Sequence, residues 1–174
     1  ITQFFSYRDH FITTNSVSIY GSASLLVFKD KKKPLYGNMM GVPENRFYGP
    51  HPHFDHNEEA IYYSSPTNPI LTKVDLSSKK PVVTHLDLSE IHQDHLNINH
   101  TLKDKSCFIQ MIYDNHKRIL VFRYLNLSGK ILKTIETDKD FWTNRMIKSP
   151  NNIYYFSHDS GFSSAKLTPP SSCQ

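Results

Sequence analysis

Apolar residues along this chain fall in short runs separated by polar turns, and within the runs apolar and polar positions tend to alternate. Alternation at period two over a short run predicts a half-buried β-strand, and no stretch sustains the 3.6-residue period of an amphipathic helix. Four segments repeat one plan, in which a strand, a polar turn and a second strand lead into a Lys- or Ser-bearing turn. The first runs from Val17-Ser-Ile-Tyr20 through Leu25-Leu-Val-Phe28 to Pro34-Leu-Tyr36, and the second from Ala60-Ile-Tyr-Tyr63 through Ile70-Leu-Thr-Lys-Val-Asp75 to Pro81-Val-Val83. The third spans Cys107 to Ile135, and the fourth pairs Asn152-Ile-Tyr-Tyr-Phe156 with Phe162-Ser-Ser-Ala-Lys-Leu167. Anchored on the second strand of each unit, the repeat is about 46 residues long, in the range of propeller blades.

Two phrases carry a family resemblance. His53-Phe-Asp-His-Asn-Glu-Glu-Ala-Ile-Tyr-Tyr-Ser-Ser65 and Lys148-Ser-Pro-Asn-Asn-Ile-Tyr-Tyr-Phe-Ser157 resemble the opening of TolB-type, WD40-like propeller blades, where aromatic–Ser–Pro–Asp–Gly turns into an apolar strand. Thr72-Lys-Val-Asp-Leu-Ser-Ser-Lys-Lys80 resembles the hairpin that follows in that family. The resemblance implies a single all-β domain over residues 1–174, a β-propeller-like fold of about four blades at 13–40, 46–88, 97–137 and 141–170. Asp55-His-Asn57 departs from the usual phrase. The fourth unit shows no fourth strand, and residues 1–12, with Phe4, Phe5, Tyr7 and Phe11, are expected to supply it and close the ring. Residues 37–50 read as a loop, and Asp87 to His95 as an insertion with a short helix capped by Ser89.

Composition supports the strand reading through ten Tyr and 11 Phe. Twenty basic residues against 16 acidic ones give a charge of +4, but they are scattered, which argues against a nucleic-acid surface. No run reaches the length of a membrane-spanning helix. The two cysteines, Cys107 and Cys173, permit one disulfide, with core packing the first expectation for Cys107 and a bond pinning the tail the second. Asn99-His-Thr101 and Asn126-Leu-Ser128 match the glycosylation acceptor pattern. Together with a chain that begins at Ile1, these features point towards an exported protein.

The candidate chemistry gathers at His51, His53 and His56, followed by Glu58 and Glu59. His51 and His53 share one face of an extended segment, and imidazoles with a carboxylate suit a divalent metal ion. The spacing His-x-His-x4-Glu is similar to the first metal motif of the cupins, with His95-x3-Asn99 similar to the tail of the second. That resemblance implies a cupin-like β-barrel with His51, His53, Glu58 and His95 as ligands of a metal-dependent enzyme. In a propeller the same histidines, joined by His100, would face the central channel; as loop histidines they would have no chemical role. Ser157-His158-Asp159 reads as a polar turn, since consecutive residues cannot form a catalytic triad. Trp142 is either a ligand platform or a packing residue between blades.

The function these observations favour is a binding module that presents loops on a propeller scaffold to a protein, peptide or carbohydrate. Tyr48, Trp142 and Arg145 are the expected ligand contacts, beside His51 and His53. The alternative is a metal-dependent enzyme with a histidine-based site. Four units are consistent with a self-contained four-bladed ring, with part of a larger propeller, or with an assembly of several chains.

Overall fold

In a computed structural model the chain forms four small antiparallel sheets in sequence order. Residues 2–7, 10–17, 22–28, 34–41, 53–55, 57–64, 69–78, 80–140, 143–149, 151–158 and 161–173 are described, the first four segments as backbone. The first sheet comprises β1 (Thr2–Tyr7), β2 (His10–Val17), β3 (Ser22–Phe28) and β4 (Pro34–Gly41), paired in that order. The second holds β5 (His53–Asp55), β6 (Ala60–Ser64), β7 (Ile70–Asp75) and β8 (Val82–Asp87). The third holds β9 (Leu96–Asp104), β10 (Cys107–Asp114), β11 (Ile119–Asn126) and β12 (Ile131–Glu136). The fourth holds β13 (Thr143–Lys148), β14 (Ile153–His158) and β15 (Gly161–Lys166).

This arrangement of separate small sheets replaces the cupin-like barrel, in which the strands would share one closed core. Three local expectations also change. Residues 2–7 and 10–17 pair with each other as β1 and β2 of the first sheet, so they do not supply a fourth strand to the last one. Residues 37–41 extend β4 instead of opening a loop, because their backbone completes the ladder with β3. The insertion contains one 3₁₀ turn, Ser89–Ile91, whose start is held by Asp87 Oδ1 accepting the Ser89 amide at 2.8 Å; the Ser89 side chain caps nothing.

Several of the described hairpin turns share one chemistry. Asp55 Oδ1 accepts the amides of Asn57 and Glu58, Asp114 Oδ1 those of His116 and Lys117, and Asn126 Oδ1 those of Ser128 and Lys130. A short acceptor at the first turn position gives the backbone its local partners. Asp55-His-Asn57, a departure from the family phrase, therefore performs the turn function in its own way. Gly129 closes the Asn126 turn at φ +87°, and a Cβ there would lie 2.7 Å from Leu88 Cδ2.

The core lies between the sheets. Ala60, Tyr62, Leu71 and Leu88 of the second sheet and its connection pack on Phe108 and Leu125 of the third, with Tyr62 and Phe108 ring centroids 5.5 Å apart. The opposite face of the third sheet offers Ile109, Met111, Leu120, Phe122 and Tyr124 to Met146, Tyr154 and Phe156 of the fourth. Alternation along β10 and β11 thus feeds two seams, which is why both strands are apolar almost throughout. The outer strands β8 and β12 are largely exposed. Cys107 and Cys173 form a disulfide across 66 residues, so the chain after β15 turns back onto the third sheet. Cys107 is packed in the seam, as first expected, and the bond to Cys173 pins the tail, the second expectation. Among the described residues no helix is long and apolar enough to cross a membrane.

Candidate functional site

Of the residues singled out for metal chemistry, those described are engaged elsewhere. His51 and His56, like Tyr48 and Trp142, lie outside the described residues. His53 is in β5, with its Nε2 3.1 Å from the Lys103 carbonyl oxygen. Glu58 sits in the β5–β6 turn and accepts hydrogen bonds from the Tyr62 hydroxyl at 2.5 Å and from Lys73 at 3.0 Å, with Lys103 Nζ 2.7 Å from its other oxygen. His95 precedes β9 at its far end, stacked on the His116 ring at 4.4 Å. Lys103 and His95 are eight residues apart along an extended strand, which separates their backbones by about 26 Å. Glu58, held by Lys103, and His95 therefore cannot share one ion, and the four-ligand set fails. No group of three or more His, Cys, Asp or Glu residues able to hold a metal ion occurs among the described residues.

His100 also departs from the channel role. It is buried in β9, and its Nδ1 accepts the backbone amide of Met146 at 3.0 Å, which ties the third sheet to the fourth. The glycosylation acceptors differ in setting. Asn99 occupies the bulge in β9, between residues paired to Met111 and Ile112, and its Nδ2 is buried beside buried Thr101, whereas Asn126 lies in an outer turn.

The strongest electrostatic feature is the seam between the second and third sheets. The Lys103 ammonium, nearly buried, lies 3.1 Å from Asp55 Oδ2 and 2.7 Å from Glu58 Oε1. Lys73 bridges Glu58 at 3.0 Å and Asp75 at 3.5 Å. Burial alone would raise the Glu58 carboxyl, but the hydrogen bonds from Lys103, Tyr62 and Lys73 outweigh it and hold its pKa at about 2. Burial and the same carboxylate push the Tyr62 hydroxyl far above its ordinary value, while the two carboxylates overcome burial to raise Lys103. Each of the two cations is held by two carboxylates, with Glu58 shared between them, so this network joins two sheets.

The outer face of the fourth sheet is of another kind. Met146, Tyr154 and Phe156 point into the third-sheet seam, so by alternation Ile147 and Tyr155 point the other way. Ser64, Met111 and Ser157 occupy matching places in β6, β10 and β14, and their cross-strand partners are Leu71, Phe122 and Phe162. Leu71 is 2% exposed and Phe122 0%, each covered by the next sheet, whereas Phe162 is 84% exposed. One pair along, Tyr62 is 3% exposed and its counterpart Tyr155 47%. Ile147, directly opposite Tyr155 in the register, is exposed as well. The fourth sheet thus carries the apolar residues of a sheet–sheet seam, with nothing seated on them among the described residues. Arg145 lies in β13 opposite Ser157. Sequence reasoning passed over Phe162, although its place at the start of the second strand of a repeat matches that of Leu71 and gave a usable signal.

No protein-family model and no curated protein sequence matches the chain. Solved structures do match. The β-propeller domain of Myceliophteria thermophila Cps50 (Swd1) is 12% identical, with a TM-score of 0.59 over 92% of this chain and 51% of that one. Kluyveromyces lactis Hsv2 is 9% identical, with a TM-score of 0.56 over 96% of this chain and 49% of that one. The AfRom2 CNH domain is 11% identical, with a TM-score of 0.53 over 95% and 55%. The chain spans about half the length of these structures. At this identity the likeness speaks to architecture: the chain has a β-propeller-like fold.

Proposed function

We propose that this chain is a protein-interaction module that takes its partner on the outer face of β13–β15, and that the occupant is a second copy of the chain. The observation carrying this reading is the exposure of Phe162, at the register position where Leu71 and Phe122 are buried under a neighbouring sheet. A seam surface of this make fits another antiparallel sheet with an apolar face. A second copy supports this reading because it offers sheets of the same make, with the same apolar seam residues, to the exposed face. A flat patch of Ile147, Tyr155 and Phe162 suits a protein surface better than a carbohydrate or an extended peptide.

Propellers commonly serve as rigid platforms for binding. Loop contacts at Tyr48 and Trp142, with Arg145, form the second part of this reading, and the TolB-type kinship of the blades belongs to it too. The Cys107–Cys173 bond supports placement in an oxidising, exported setting. Sedimentation equilibrium tests the docking surface. The chain is expected to approach twice its 20.2 kDa mass with rising concentration. Burying a Phe side chain contributes roughly 1.5–3 kcal/mol, so Phe162→Asp should weaken association by at least about tenfold while leaving the melting temperature unchanged. Wild-type protein that remains at 20.2 kDa throughout, or a variant that associates as before, overturns the proposal.

A further inference from the structure

The fourth sheet is one strand short. In the second and third sheets an outermost strand, β8 or β12, pairs with β7 or β11, whereas β15 pairs with β14 alone among the described residues. A hydrogen bond at the end of the ladder fixes which backbone groups this leaves open. The Leu167 amide donates to the Asn152 carbonyl at 3.1 Å, so by alternation Gly161, Ser163 and Ala165 also turn their amides and carbonyls towards β14. Those of Phe162, Ser164 and Lys166 point the other way, to an edge that no described strand covers. On β7 the matching residues are Leu71, Lys73 and Asp75, and β8 pairs with them through Leu86, Thr84 and Val82.

The neighbouring segments of the chain are committed elsewhere. Lys133 donates to the Thr168 carbonyl at 2.9 Å and Cys173 is bonded to Cys107, so the chain after β15 is drawn onto the third sheet. β1 and β2 belong to the first sheet. An open edge is a template for another strand, and charge or proline is the usual guard against one. Along Gly161–Lys166 there is no proline, and Lys166 at the end is the one charged residue.

We propose that the β15 edge receives an extended segment of a partner protein as an antiparallel fourth strand. That segment carries an acidic, a polar and an apolar residue at alternate positions, opposite Lys166, Ser164 and Phe162 in turn. Leu86 and Ile135 stand opposite Leu71 and Phe122, the counterparts of Phe162, which sets the apolar position; exposed Lys166 sets the acidic one. Pairing with β15 of a second copy, centred on Ser164, would put Phe162 opposite Lys166 and supply no acid, so a different protein fits better. The added strand lies beside the outer face instead of on it, and this site stands whether or not a second copy docks there.

The probes are a peptide of residues 81–88, blocked at both ends, which as β8 fills the matching place on β7, and its Val82→Glu form. Both should bind saturably and slow hydrogen exchange at the amides of Phe162, Ser164 and Lys166. The Glu form should bind about two- to fivefold more tightly, an advantage lost in high salt and in Lys166→Gln. Ser164→Pro removes an outward N–H and leaves the ladder to β14 intact, so it should weaken both peptides by at least about tenfold while sedimentation of the chain alone is unchanged. Lys166→Gln keeps the test decisive if the proline variant does not fold. The proposal is overturned if neither peptide saturates, if Ser164→Pro binds as tightly, or if the Glu form gains nothing. Protection of the same amides by self-association alone, with no response to peptide, overturns it as well and assigns the edge to a second copy.

Discussion

Replacing Lys103 with Met keeps most of the side-chain stem in the seam and removes its charge. Asp55, nearly buried, then faces the third sheet without its cation, while Glu58 keeps Lys73 at 3.0 Å and the Tyr62 hydroxyl. Removing one partner of a buried pair costs about 3–5 kcal/mol, and the surviving Lys73 contact places this case near the low end, at about 3 kcal/mol. For a chain of this size, that corresponds to a fall of roughly 6–12 °C in melting temperature. The pH dependence gives a second readout. The folded pKa values of Glu58 and Asp55 lie below their ordinary ones, so the wild type holds this stabilisation above pH 4.5 and loses it as pH falls towards about 2. Glu58 is about a third exposed, so after solvent screening its share is about 1 kcal/mol. The variant keeps only the Lys73, Tyr62 and backbone contacts and so has less to lose, and the gap between the two proteins should narrow across that window. Urea unfolding followed by circular dichroism at pH 7 and near pH 3 measures both effects. A deficit below about 0.5 kcal/mol at neutral pH, or one of equal size at both pH values, refutes the reasoning.

Two further outcomes follow from the seams. Reducing the Cys107–Cys173 bond, which spans 66 residues, should destabilise the chain by up to about 4 kcal/mol, read as an earlier urea midpoint with dithiothreitol than without. Gly129→Ala places a Cβ against Leu88 at a positive φ and should cost about 1–2 kcal/mol, whereas Ser78→Ala, in an exposed turn, should have little effect on thermal melting.

The strand content and the four-fold repeat were legible because a sheet buried against its neighbour imposes alternation on every residue, as in Cys107 to Asp114. Ala60-Ile-Tyr-Tyr-Ser64 and Ile153-Tyr-Tyr-Phe-Ser157 could be matched for the same reason. The N-terminal segment was misplaced because strand pattern alone does not choose a partner: β1 reads equally well as the edge of either sheet, and the short connection to β2 decides. The histidines drew attention through spacing, yet charge pairing across the seam, from Lys103 to Asp55 and Glu58, joins residues some 50 positions apart and leaves no local mark. His95 is removed from them by the length of β9.

Hydroxyl-radical footprinting of Phe162 and Tyr155 across a concentration series most directly tests whether the outer face of the fourth sheet is a seam awaiting its neighbour. Both side chains should be oxidised in dilute protein and become protected as the mass doubles, while Phe156, buried in the inner seam, stays protected throughout. Phe162 that remains equally reactive in concentrated protein, or that is already protected in the 20.2 kDa species, contradicts the account.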